Sequence, residues 1–388
     1  MFFCITKSQQ LEFSFNQTHN ANDFYVHTDA GWSHIIYRST NYIYKGYVED
    51  GTLKTKILED DFADLKGNYC VIAVKGKELI VYHSDCRSFP IYLYSDKLSN
   101  INYNDEKQTF YSDAVLSIDS DFNHKYTHKD AIGEITNTVK TEDAVIDEID
   151  QIISNSFENF LKHNTDPVKI WLSAGADTTL LYSYLQKYSN NYEVLNYTHF
   201  YYDKFWCCNR MKVLENWSYK QLHHFREDCV LVSGAPGDEF MMRNPNLVNL
   251  YLMYYDINIV DFLRNNDSMY HTRYFLKDKN IKSMYEQKYQ IAQMKNLNEV
   301  EMKKKICNML ISDYQHHHIG YTLTFTPLRD INITKLLMQL PVESLLKQAS
   351  DAYITKKLIE RNNPKLLDII APNKNVKEHM CQVQSLLT

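Results

Sequence analysis

Between residues 141 and 233 the apolar positions change period several times, and that alternation restricts the fold more than any other feature of the chain. Val145, Ile149, Ile152, Ile153, Phe157, Phe160 and Leu161 recur at helical spacing, with Thr141 placed to cap and Glu142 and Asp143 in the first turn. Pro167 interrupts the pattern, and Val168-Lys-Ile-Trp-Leu172 follows as a short apolar run, which reads as a strand. A helix-like pattern then runs to Tyr188, and segments 193–197 and 229–233 read as two more buried strands. Strands alternating with helices predict a parallel, doubly wound sheet. Beyond residue 240 the pattern is largely helical.

The preceding residues have a different texture. Asn68-Tyr-Cys-Val-Ile-Ala-Val74 and Glu78-Leu-Ile-Val-Tyr-His83, separated by Lys75-Gly-Lys77, predict a hairpin, and Ile35-Ile-Tyr37 and Tyr42-Ile-Tyr44 read as further strands. The mixed polar segment 123–140 is a candidate linker. The expected organisation is therefore a β-rich domain over residues 1–125 and an α/β domain over 126–388, with a helical C-terminal part. A chain of 388 residues, 44% hydrophobic, is long enough for two cores. A net charge of −6 argues against a general nucleic-acid or membrane-surface partner. No apolar run approaches the roughly 20 residues that span a bilayer, and Met1-Phe-Phe-Cys-Ile-Thr-Lys7 is too short an apolar opening for a signal peptide. These readings predict a soluble cytoplasmic protein, and the eight cysteines, without repeated CxxC spacing, read as reduced thiols.

Only ten glycines accompany thirty tyrosines, which singles out Gly175, Gly234 and Gly237. Ser173-Ala-Gly-Ala-Asp-Thr-Thr179 lies between a predicted strand and a helix, where ligands of open α/β sheets bind. Amides at a helix N-terminus favour an anion. Gly175 permits close approach, and the Ser173, Thr178 and Thr179 hydroxyls are suited to phosphate oxygens. Asp177 among anion donors suggests a bridging Mg²⁺ with ATP, since Mg²⁺ takes one or two carboxylates together with phosphate oxygens. An ordinary capped strand-to-helix turn is the alternative. A second turn, Val232-Ser-Gly-Ala-Pro-Gly-Asp-Glu239, again follows a strand, so Asp177 and Asp238 are expected around one metal.

SAGADTT resembles the pyrophosphate loop, Ser-Gly-Gly-x-Asp-Ser, of the asparagine synthetase family, and SGAPGDE is similar to its second loop, Ser-Gly-x-Gly-x-Asp-Glu. The segment from Phe325 to Pro341 resembles the family's R-x-P-F-x-D segment and the helix after it. Leu65-Lys-Gly-Asn-Tyr69 and Ser84-Asp-Cys-Arg-Ser-Phe-Pro-Ile-Tyr92 look like the end of its glutaminase-type domain. The resemblance implies a shortened N-terminal-nucleophile-hydrolase-like domain followed by a pyrophosphate-loop synthetase domain. It implies ATP contacts from Leu172, Ser173, Gly175, Asp177, Thr178, Thr179 and Gly234, with Mg²⁺ on Asp177 and Asp238. Lys374, with Lys377 as the alternative, is the lysine that would meet the leaving pyrophosphate. The implied reaction adenylates a small-molecule carboxylate and couples it to ammonia or an amine, in a possible homo-oligomer.

The chain departs from that family in several places. Residue 2 is Phe and the nearest thiol is the internal Cys4, which lacks the free α-amine that activates such a nucleophile, so no glutaminase activity is expected. Ala174 replaces the first glycine of the pyrophosphate loop, Ala235 replaces an acidic residue of the second, and the interval between the loops is short. A pseudoenzyme that binds nucleotide or a partner, and a different pyrophosphate-loop ligase, are the rival expectations.

Overall fold

The computed structural model describes residues 3–7, 15–29, 31–62, 65–83, 91–99, 108–110, 114–128, 132–172, 175–196, 229–234, 236–259, 278–313 and 323–370. It is a mixed α/β fold, β-rich in its N-terminal part and more helical in its C-terminal part. The first part contains β1 (Phe3–Thr6), β2 (Gln17–Ala21), β3 (Phe24–Thr28), β4 (Ser33–Tyr37), β5 (Thr40–Val48), α1 (Leu53–Glu59), β6 (Gly67–Lys75), β7 (Glu78–His83), β8 (Ile91–Leu93), β9 (Lys97–Ser99), β10 (Gln108–Phe110), β11 (Ala114–Asp119) and β12 (His124–His128). These form two antiparallel sheets, ordered β10-β8-β9-β1-β3-β2 and β12-β11-β7-β6-β5-β4.

The apolar run of β6 is explained by burial on both faces. Cys70, Ile72 and Val74 share a core with Phe3, Ile5, Phe24 and Val26 of the first sheet. Tyr69, Val71 and Ala73 pack on the other side with Leu53 and Ile57 of α1. The predicted β6–β7 hairpin turns through Gly76 at φ +59, the left-handed region that a two-residue turn requires. Cys4 lies inside β1 and is fully buried.

The second part contains α2 (Glu142–His163), β13 (Val168–Leu172), α3 (Ala176–Tyr188), β14 (Glu193–Asn196), β15 (Val230–Val232), α4 (Gly237–Phe240), α5 (Pro245–Tyr254), α6 (Asp278–Glu286), α7 (Lys288–Met294), α8 (Glu299–Asp313), β16 (Leu323–Phe325), α9 (Ile331–Leu337), α10 (Val342–Asp351) and α11 (Tyr353–Asn362). Thr141 caps α2 by accepting from the Ala144 amide, and the helix buries Val145, Ile149, Ile153, Phe157 and Phe160 as its spacing predicts. Among the described residues, four strands form an all-parallel sheet, β14-β13-β15-β16. The last of them is absent from the sequence reading: it is three residues long and carries Thr324 between Leu323 and Phe325, too brief a run for periodicity to register.

Two further differences concern the join between the parts. Segment 123–140, read as a linker, contains β12, and its later residues are tied to the C-terminal part: Lys140 N donates to Gln339 O at 2.9 Å and Gln339 Nε2 to Thr136 Oγ1 at 3.0 Å. The two parts also share one core. Phe325 stacks on Phe160 with ring centroids 4.2 Å apart, meets Phe157 edge-on at 4.9 Å, and lies 6.0 Å from Tyr47 of β5. Tyr47 Oη donates to Thr324 O at 3.1 Å, and Asn68 Nδ2 of β6 donates to both Thr324 O and Thr324 Oγ1 at 2.9 Å. The N-terminal sheet thus covers polar groups of β16, the edge strand of the parallel sheet.

Because Phe325 is buried and central to this seam, Phe325→Ala should cost about 3–5 kcal/mol, read as a lowered midpoint in urea unfolding. A shared core also predicts a single cooperative transition for the whole chain; two separated transitions, only one of them moved by Phe325→Ala, would contradict it.

Candidate functional site

The order β14-β13-β15-β16 means that the chain leaves β13 in one direction through α3 to β14, then crosses back to β15 on the other side. The topological switch point is therefore between β13 and β15, where an open parallel sheet leaves a crevice beyond its strand ends. The two turns singled out in the sequence are the ones that end these two strands. Gly175 is the N-cap of α3 and brings no side-chain acceptor to its first turn.

The turns are packed directly against each other. A Cβ on Gly234 would lie 3.0 Å from Asp177 Cβ, Thr178 Cγ2 and Thr178 N. A Cβ on Gly237 would lie 2.5 Å from Asp177 Oδ2 and 2.9 Å from Asp177 Cβ, closer than real atoms approach. These glycines therefore serve contact between turn and helix, since any side chain would push Asp177 away. Ser233 N donates to Phe325 O at 3.0 Å, joining the second turn to β16.

Arg243, which sequence reasoning did not select, completes the arrangement. The short helix α4 ends with Met242 at φ +54, with Met242 N donating to Glu239 O at 3.0 Å and Arg243 N to Asp238 O at 2.7 Å. This pair of bonds is a Schellman motif, with methionine where glycine is usual. It folds Arg243 back over the start of α4. The Arg243 Nη2 atom contacts Asp177 Oδ1 and lies 2.8 Å from Asp238 Oδ1. The arginine side chain is 1% exposed, Asp177 14% and Asp238 47%. The sequence signal was available only as a lone arginine four residues after Glu239, with nothing to mark its direction.

Burial raises Asp177 well above the usual carboxylate range, with Asp238 and Glu239 adding to the rise and Arg243 opposing it. Burial likewise pushes Glu239 up to about 7, reinforced by the Asp238 charge and opposed by an amide of Asn244 and by Arg243.

Asp177 and Asp238 do come together, on one nitrogen. The place a shared Mg²⁺ would take is filled by the guanidinium, so the residues as arranged do not fit that metal. Among the described residues no group of three or more His, Cys, Asp or Glu side chains is arranged to hold a metal ion. Leu172 and Thr179 are fully buried, and the Thr179 hydroxyl has no hydrogen-bond partner. Thr178 Oγ1 donates to Gly175 O at 3.2 Å, stitching the first turn of α3. Gly175 and Gly234 flank the crevice. Ser173, Ala174, Ala235, Lys374 and Lys377 lie outside the described residues. A separate cavity of about 450 Å³ lies at the seam between the two parts, lined by β5, α2 and the start of α9 and by none of the residues of the two turns. In its lining Lys66 pairs with Asp330 at 2.5 Å, and the Ser156 hydroxyl donates to Glu49 at 2.8 Å.

The fold and site define a two-part α/β protein with a parallel sheet, four-stranded among the described residues, and an arginine-bridged carboxylate pair at its switch point. No family model matches the sequence, and no curated protein matches it. Among solved structures, the chain is similar to one described as the structure of the allosteric regulatory enzyme of purine biosynthesis, at 10% identity and TM-score 0.23, over 38% of this chain and 46% of that one. It is also similar to glutamine phosphoribosylpyrophosphate (PRPP) amidotransferase from B. subtilis complexed with ADP and GMP, at 10% identity and TM-score 0.22, over 57% and 63%. The chain spans less than two thirds of either structure, and both likenesses are distant. No helix among the described residues is long and apolar enough to cross a membrane.

The raised Glu239 carboxyl sets a pH dependence. Its folded pKa lies above the unfolded value, so the folded chain keeps the proton that the unfolded chain releases between about 4.5 and about 7, and stability falls as pH rises through that window. Glu239→Gln should remove this contribution to the fall, while that of the raised Asp177 persists. The variant's stability relative to the native chain should rise by roughly 1–3 kcal/mol from pH 4.5 to pH 8, measured by urea unfolding at each pH; parallel profiles for the two proteins would contradict it.

Proposed function

We propose that the chain binds the phosphates of a nucleotide at the crevice between β13 and β15 and uses ATP to activate a small-molecule carboxylate for coupling to ammonia or an amine. The observation that carries this reading is the meeting of two strand-to-helix turns, SAGADTT and SGAPGDE, at the switch point of a parallel sheet. Their resemblance to the two loops of asparagine synthetases supports the ligase chemistry, and the buried Cys4 accords with an N-terminal domain that does not hydrolyse glutamine. In this reading the start of α3 receives phosphate oxygens through backbone amides. Lys374 would supply the cation that meets pyrophosphate as it leaves, an interaction stronger in the transition state than in the ground state.

A second reading, nucleotide or partner binding without turnover, is favoured by one observation: both carboxylates of the pair are engaged by Arg243. ATP–pyrophosphate exchange over a panel of carboxylates separates the two. Exchange that depends on one carboxylate supports the ligase, whereas ATP binding with no exchange supports the second reading. Absence of ATP binding rejects both as nucleotide proteins. Gly237→Ala, which forces Asp177 away from the second turn, should weaken ATP binding about tenfold or more, a loss of about 1.4 kcal/mol or more. Unchanged affinity would place the nucleotide elsewhere.

A further inference from the structure

Arg243 is an internal cation in a place where the surrounding carboxylates would otherwise demand an external one. Two carboxylates brought onto one point repel each other, and Asp177 is nearly enclosed, so their charge must be offset by protonation, by a metal or by a basic side chain. The fold supplies the basic side chain by three independent local devices. The Schellman turn at Met242 aims the arginine backwards, the bare Gly237 lets Asp177 approach, and the register of α3 presents Asp177 to the same nitrogen. A guanidinium cannot lose its proton in a protein, so the cation itself is permanent over the physiological range and balances one of the pair's two charges.

We infer that Arg243 replaces the divalent cation at this switch point. The pair Asp177–Asp238 is a latent cation site closed by the protein's own arginine, and a phosphate-bearing ligand is taken up there without a metal. The second clause rests on the nucleotide reading proposed above, and the first does not. With Arg243 in place, a phosphate at the start of α3 meets a carboxylate pair already bridged by a guanidinium. A divalent ion, which needs close oxygen ligands, finds Asp177 Oδ1 and Asp238 Oδ1 already committed to Nη2.

The test titrates the full chain with Mn²⁺ alone, followed by electron paramagnetic resonance, with thermal unfolding recorded in EDTA and in Mg²⁺. The native chain should bind no Mn²⁺ and unfold at the same temperature in both solutions. Arg243→Gln should acquire a Mn²⁺ site and a Tm that rises in Mg²⁺, and the double variant with Asp238→Asn should lose both. Arg243→Lys, which keeps a cation, should not acquire the site. Mn²⁺ binding by the native chain that disappears in Asp238→Asn overturns the inference, as does a folded Arg243→Gln that binds none. If Arg243→Gln does not fold, the native chain and Arg243→Lys decide: no Mn²⁺ bound by either supports the inference, and a site on either that Asp238→Asn removes overturns it. ATP titrated in EDTA and in Mg²⁺ tests the second clause. Equal affinity supports metal-free uptake, and a loss of tenfold or more in EDTA overturns it. No ATP binding in either solution rejects the nucleotide reading and with it the second clause, while the Mn²⁺ result stands on its own.

Discussion

A charged side chain enclosed by protein must find its counter-charge there or lose its charge, and Arg243 shows what that demands of the surrounding fold. Its guanidinium meets Asp177 from α3 and Asp238 from α4, two elements that follow different strands of the parallel sheet. Removing Arg243 would leave the enclosed Asp177 without its counter-charge, a loss that costs on the order of 3–5 kcal/mol in comparable buried pairs. The contact therefore sets the separation of the two turns. Gly234 and Gly237 have no side chains because that separation leaves no room for them. Met242 accepts a left-handed backbone, which costs a non-glycine residue about 1–2 kcal/mol, because this conformation returns the chain towards Asp238.

The sheet that carries the crevice is itself supported from outside. Its last strand, β16, has Thr324 and Phe325 engaged by Tyr47 and Asn68 of the N-terminal part, and Phe157 and Phe160 of α2 close over the same ring. Since Phe325 O also accepts from Ser233 N, the seam and the second turn are neighbours along one strand. The N-terminal sheets therefore adjoin the switch point through β16. The N-terminal part is in this sense a structural support of the crevice.

The local elements were legible where one physical signal dominated. Thr141 with Glu142 and Asp143 marked a helix start because capping is a matter of adjacent residues. The Val168–Leu172 run and the hairpin around Gly76 were legible for the same reason: hydrophobic run length and turn chemistry act over a few residues. β16 escaped because three residues cannot establish a period. The segment 123–140 looked like a linker because its polar residues find their partners far away, at Gln339 for Lys140 and Thr136.

By itself the sequence determined the alternation of strands and helices, the two turns that would sit at strand ends, and the carboxylates those turns would present. These follow from period, capping and glycine placement, all of which act along the chain. Only the tertiary structure decided what neutralises Asp177 and Asp238. A metal or an arginine can each offset charge on such a pair, and the sequence contains candidates for both. The choice depends on which way Arg243 leaves the end of α4, a direction set by one left-handed residue and by the close packing of Gly237 on Asp177. Direction in space is not written in spacing along the chain, because it appears only once α3 and α4 have been brought together by strands β13 and β15.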